Sequence, residues 1–181
     1  MTATPWTPKP EKMVMPGEVW FGQGEQRVGT LLGSCVAVTL WHPKTQAGGL
    51  CHYMLPERGP AARGLERRVL DGRYGDEAMA LLLAAARRAG CLPTECEVKL
   101  FGGGRMFGGT AGGSEALQVH LRNVEQAHRL VRHHGLRVVA QHLGGQGYRQ
   151  LRLDLGSGDV WLRFSPCEAS DEGVATTGAQ A

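Results

Sequence analysis

At 181 residues, 42% hydrophobic and 20% charged, the chain has the length and composition of one globular domain with its own core, which excludes a disordered or fibrous protein. Its formal net charge of +3 comes without a long run of Lys or Arg, so dedicated nucleic-acid binding is not supported. The longest apolar run, Ala78 to Ala86, falls far short of the roughly 20 residues of a membrane helix, so no membrane insertion is expected.

In chain order, residues 1–16 are interrupted by Pro5, Pro8, Pro10 and Pro16 and read as a mobile tail without a secretory leader; the expected compartment is the cytoplasm. The five cysteines are an odd set that fits reduced thiols. Glu18 to Gly22 and Arg27-Val28 read as short edge pieces. Val36 to Trp41 and Leu50 to Leu55 read as an antiparallel hairpin turning around Pro43 to Gly48. Asp76 to Ala89 has the marks of a helix: an acid at its start, Arg87 and Arg88 in its last turn and Gly90 as its stop. It is apolar nearly all round, which predicts deep burial.

A second helix is predicted from Val124 to His134, with Asn123 as N-cap and Gln126 completing a capping box. Leu136 to Ala140, Gln150 to Leu155 and Asp159 to Phe164 read as strands, the last two joined by Gly156-Ser157-Gly158. Residues 165–181 are small and polar, and read as a second mobile tail. The sum is an α+β fold: a single domain over 17–164 with mixed, largely antiparallel β-sheets packed with about two to three helices.

Chemistry concentrates in Gly33-Ser34-Cys35 and Gly48-Gly49-Leu50-Cys51-His52. A catalytic cysteine needs an imidazole or helix terminus to hold its thiolate, and His52 is a candidate. The alternative is that Cys35 packs ahead of the apolar run Val36-Ala37-Val38. Register is not set by the residues, so they leave open whether thiol and imidazole meet. Cys51, beside His52 on a strand, points to the opposite face and reads as core. The glycines at 102–104 and 108–109 lack the Gly-Lys-Ser/Thr ending of a phosphate loop. Cys91 and Cys96 lack the partners of a zinc framework. The arginines at 58, 63, 67, 68 and 73 read equally as a solvated loop or as a rim for an acidic partner.

The run Thr30-Leu-Leu-Gly-Ser-Cys-Val-Ala-Val-Thr-Leu-Trp41, followed by Gly48 to Pro56, resembles the chemoreceptor glutamine deamidases of the CheD family. Arg73 to Met79, Lys99 to Phe107, Arg122-Asn-Val-Glu125 and Leu143 to Arg149 match in order, so the resemblance spans residues 17 to 164. It implies a protein-glutamine glutaminase that needs no cofactor and no metal, with Cys35 as nucleophile and His52 as its base. Its implied substrates are the cytoplasmic domains of methyl-accepting chemoreceptors, and a CheC-type phosphatase is an implied partner.

The family's third member is a threonine usually six positions before the cysteine. Here that position is Gly29, with Thr30 next to it. Either Thr30 takes the role by a one-residue shift, or another group orients the histidine, or activity is weakened. On a regular strand such a shift would turn the side chain to the other face. A non-catalytic adaptor on chemoreceptors or on the phosphatase is the alternative reading.

Overall fold

Consecutive residues at the centre of the chain bury on opposite sides, and this alternation builds the molecule in layers. The computed structural model describes residues 8–59, 69–106 and 118–167. Along the chain lie β1 (Glu11–Met13), β2 (Val19–Gln23), β3 (Arg27–Leu32), β4 (Val36–His42), β5 (Ala47–Tyr53), α1 (Gly75–Arg88), β6 (Glu97–Gly102), α2 (Val119–His133), β7 (Arg137–Leu143), β8 (Gly147–Asp154) and β9 (Val160–Pro166).

The strands form a five-stranded sheet in the order β2-β5-β4-β6-β7 and a four-stranded sheet in the order β1-β3-β8-β9. Two pairs are parallel, β1 with β3 and β6 with β7, and the rest are antiparallel. Val36, Val38, Leu40, Cys51 and Tyr53 pack under α1 and α2, against Met79, Leu82, Leu83, Ala127 and Leu130. Their neighbours Ala37 and Leu50, with Phe101, face the other way onto Val28, Leu32, Leu151 and Leu153 of the second sheet. The result is an α+β stack of helix layer, central sheet and second sheet. Residues 33–35 carry the chain from β3 in one sheet to β4 in the other.

Several expectations change. The stretch read as a tail supplies β1, whose Glu11, Lys12 and Met13 pair with Arg27, Val28 and Gly29. Arg27-Val28 opens a six-residue strand inside its sheet rather than at an edge. Segment 97–102, whose residues 99–102 open the matched stretch Lys99 to Phe107, is strand β6 beside β4. The last strand runs to Pro166, past the predicted boundary. Helix α1 buries one face, through Ala78, Met79, Leu82, Leu83 and Ala86, rather than its whole circumference.

Helix α2 begins at Val119, so Asn123 lies inside it and is not its N-cap. Its polar side chain satisfies carbonyls elsewhere, which explains an asparagine at a buried helical position. The loop residues Arg63, Arg67 and Arg68, and Phe107 through Gly113 of the glycine-rich stretch, lie outside the described residues.

Candidate active site

Three segments converge between the sheets near the crossover. β3 presents Val28, Thr30 and Leu32 inward, while Leu31 is exposed. A Cβ built on Gly29 would point to the outer side, 2.5 Å from Glu11 Oε1 and 3.1 Å from Met13 Sδ. Position 29 is therefore the outward one and Thr30 the inward one. Counting back from Cys35 misleads because residues 33–35 cross between sheets and do not preserve strand alternation.

His52 pairs with Ala37 in the β4–β5 register, and Ala37 faces the second sheet. Cys35, two residues before Ala37, packs against the same inter-sheet cluster. Cys35 and Ala37, the strand partner of His52, thus border the same inter-sheet cluster. Cys51 points to the helix side and is fully buried, and its thiol is pushed up to about 12 by burial.

Thr30 and His52 are each 1% exposed. Thr30 Oγ1 lies 2.7 Å from the Val14 carbonyl and 2.8 Å from His52 Nδ1. A hydroxyl has one proton and the carbonyl can only accept, so that proton goes to Val14. Thr30 must then accept the Nδ1–H of His52, which assigns the tautomer from the network. The other ring nitrogen, Nε2, is left with a free lone pair, is buried and has no partner among the described residues. Main-chain bonds from Gly17 to the His52 carbonyl (2.7 Å) and from His52 to the Glu18 carbonyl (3.1 Å) hold the strand beneath it.

Burial lowers the His52 pKa to about 4, against a smaller opposing pull from the Val14 carbonyl. Burial likewise raises the Cys35 thiol, opposed by its own main-chain N–H and by the Ser34 hydroxyl, both of which favour the thiolate. At neutral pH Cys35 is therefore a thiol and His52 a neutral imidazole.

The Cys35 segment is clamped from three sides. Gly104 N–H donates to the Gly33 carbonyl at 2.8 Å and Gly103 N–H to the Cys35 carbonyl at 2.7 Å. Asn123 Nδ2 donates to the Ser34 carbonyl at 3.1 Å and to the Met54 carbonyl at 2.9 Å. The glycines are required by approach: a Cβ on Gly102 would sit 2.1 Å from the Cys35 carbonyl oxygen.

Behind them Arg149, buried in the second sheet, donates from Nε to His142 Nδ1 at 2.8 Å and from Nη2 to the Gly144 carbonyl. Gly144 N–H in turn bonds the Gly102 carbonyl at 2.9 Å. The roles of Val14, Asn123 and Arg149 were not read from the sequence. The matched motifs around 122 and 143–149 were the available signal for the last two, and nothing marked Val14.

Of the other candidates, Arg58 is paired with Glu77 (2.9 Å from Nη2 to Oε2) and Arg73 with Asp71 (2.6 Å). Both are taken up in local ion pairs. Among the described residues no group of three or more His, Cys, Asp or Glu is placed to hold a metal. None of the described helices is long and apolar enough to cross a membrane.

Residues 54–164 match the profile of CheD chemotactic sensory transduction proteins. The chain belongs to the CheD family. It is 45% identical over 162 residues to a probable chemoreceptor glutamine deamidase CheD of Pseudomonas savastanoi, covering 90% of this chain and 89% of that one. It is 44% identical over 154 residues to probable chemoreceptor glutamine deamidase CheD 3 of Dechloromonas aromatica, covering 85% and 87%. It is 40% identical over 148 residues to a probable chemoreceptor glutamine deamidase CheD of Pyrococcus abyssi, covering 81% and 87%. The profile match starts beyond Cys35 and His52, but an alignment of 162 residues in a chain of 181 must span both.

Proposed function

We propose that this CheD-family chain is a protein-glutamine deamidase acting on the cytoplasmic domains of chemoreceptors, with Cys35 as nucleophile, His52 as general base and acid, and Thr30 as the group that orients His52. The observation that carries the reading is the Thr30–His52 bond, which leaves an unpartnered Nε2 lone pair on the face that holds Cys35. It also weighs against an inactive adaptor, because Thr30 faces inward and bonds His52 although position 29 holds no threonine.

In the reaction, His52 Nε2 takes the Cys35 thiol proton as sulfur attacks the side-chain carboxamide carbon of glutamine. The tetrahedral oxyanion is stabilised by main-chain N–H groups of the 34–36 segment. The imidazolium returns its proton to the nitrogen, ammonia leaves, and a thioester remains. Water, deprotonated by the same Nε2, attacks the thioester; glutamate forms and the thiol is restored. One water is consumed and one ammonia released. The product adds a negative charge where a neutral amide stood. We place this activity in the cytoplasm, with a CheC-type phosphatase as a protein partner.

Mass spectrometry of receptor cytoplasmic domains incubated with the wild type and with Cys35→Ala tests the reading. Glutamine-to-glutamate conversion by the wild type alone is expected. Conversion by neither, with receptor binding intact, sinks it.

A further inference from the structure

Asn123 sits in the second turn of α2 with no exposed surface. Its side chain reaches out of the helix layer to two carbonyls at one end of the central sheet. One belongs to Ser34, the residue before the nucleophile, and the other to Met54, two residues beyond His52. Its own main-chain carbonyl accepts the Tyr53 hydroxyl at 2.6 Å, so β5 and α2 are tied at a second point. The amide orientation follows from the partners, because two carbonyl oxygens can be served only by Nδ2. The Oδ1 that results is buried without a hydrogen-bond partner among the described residues. An unpaired buried acceptor is costly, so a position needed only for packing is better filled by an apolar residue. What Asn123 supplies is two donors.

Their effect on the crossover is specific. In a trans peptide the C=O and N–H point in opposite directions, so holding the Ser34 carbonyl toward Asn123 turns the Cys35 N–H away from it. No main-chain acceptor among the described residues takes that N–H. The flanking carbonyls of Gly33 and Cys35 are held by Gly104 and Gly103, which leaves the intervening peptide plane little freedom to rotate.

We infer that Asn123 is a positioning residue for the deamidation: it orients the Ser34–Cys35 peptide so that the Cys35 N–H serves as an oxyanion donor. The inference rests on the deamidase reading and extends it to a residue that touches neither substrate nor thiol.

The experiment compares wild type, Asn123→Asp and Asn123→Ala. Asp keeps the shape and removes the double donor; Ala keeps the helix. Each is assayed for kcat and KM on a receptor cytoplasmic domain, for melting temperature, and for the rate of Cys35 alkylation by iodoacetamide, followed by mass mapping. Alkylation needs the thiol and its base but no oxyanion donor. The expected result is a fall in kcat of roughly 10² to 10³, the usual effect of losing one such donor, with KM and alkylation rate within about threefold of wild type. Equal falls in kcat and alkylation, an unchanged kcat, or loss of folding in both variants overturns it. Absence of deamidation by the wild type itself instead defeats the underlying reading.

Discussion

Thr30 and His52 meet across the two sheets, hydroxyl oxygen to Nδ1 at 2.8 Å, with the hydroxyl proton committed to the Val14 carbonyl. The relationship depends on strands of both sheets. β1 and the residue after it bring Val14, β3 turns Thr30 inward, and the β4–β5 register places His52 opposite Ala37. Because the hydroxyl relays from imidazole to a main-chain carbonyl, it specifies a tautomer without adding a charge. A carboxylate in its place would instead raise the imidazole pKa and favour the protonated form.

Thr30→Val tests that relay while keeping shape. It strands the Val14 carbonyl and the His52 Nδ1–H, each at a cost of about 1–3 kcal/mol. It also frees the ring to take the wrong tautomer, so kcat should fall by about 10² or more. Thr30→Ser, which retains the hydroxyl, should stay within a few-fold of wild type. Gly29→Thr added to Thr30→Val should not restore activity, since position 29 faces Glu11 and Met13 on the outer side. Rescue by that double change in a deamidation assay would mean the facing is wrong.

The resting thiol–imidazole pair has a signature in alkylation kinetics. Burial raises the Cys35 pKa and lowers that of His52 to about 4. The unliganded enzyme should therefore react with iodoacetamide at a rate that keeps climbing with pH through neutrality and beyond the usual cysteine range. A thiolate–imidazolium pair would give a plateau from acidic pH upward. Mass mapping assigns the label to Cys35, and a plateau between pH 5 and 7 would count against the neutral pair.

The sequence was most readable where one element carries its own signals. Helix α1 has acids at its start and Gly90 at its end, and β4 is an apolar run bounded by turn residues. Both occur within a residue or two of their expected bounds. β1 was hidden because its three residues are exposed and owe their strand conformation to pairing with β3. β6 was masked by the glycine motif that it leads into. Asn123 imitated an N-cap, because asparagine followed by a capping-box residue has that local pattern whether or not the helix has already begun. Cys35 and His52 stood out as candidates from the residues, and the family resemblance gave them their roles. Their residues held no information on register, and strand parity failed for Thr30 because it was counted through a crossover that leaves one sheet for another.

Acid stability should carry the mark of His52. Its folded pKa of about 4 lies below the ordinary 6.5, so the folded state prefers the neutral ring and the unfolded chain binds the proton first. The contribution is fully present above about pH 6.5. It is lost as pH falls toward 4, and saturates below that, with a total on the order of 3 kcal/mol. Chemical denaturation of wild type and His52→Gln at pH 7 and pH 4.5 should show a steeper loss in the wild type. Parallel losses would mean that the ring is already charged or solvated in the fold.

Two glycines of positive φ differ in what a side chain would meet. Gly102 and Gly135 both have positive φ, 113° and 61°, where an L side chain is disfavoured by about 1–2 kcal/mol. A Cβ on Gly135 meets nothing within 4 Å, whereas one on Gly102 falls 2.1 Å from the Cys35 carbonyl and 3.0 Å from Val36 Cα. These are main-chain atoms that can give way only by moving the Cys35 segment. Gly135→Ala should lower the melting temperature by a few degrees and leave kcat unchanged within about twofold. Gly102→Ala should lose most of its deamidase activity, because a 1 Å displacement of a reacting group can cost about 10² in rate. Equal effects on activity from the two substitutions would show that the Cys35 segment does not depend on the close approach of the β6 glycines.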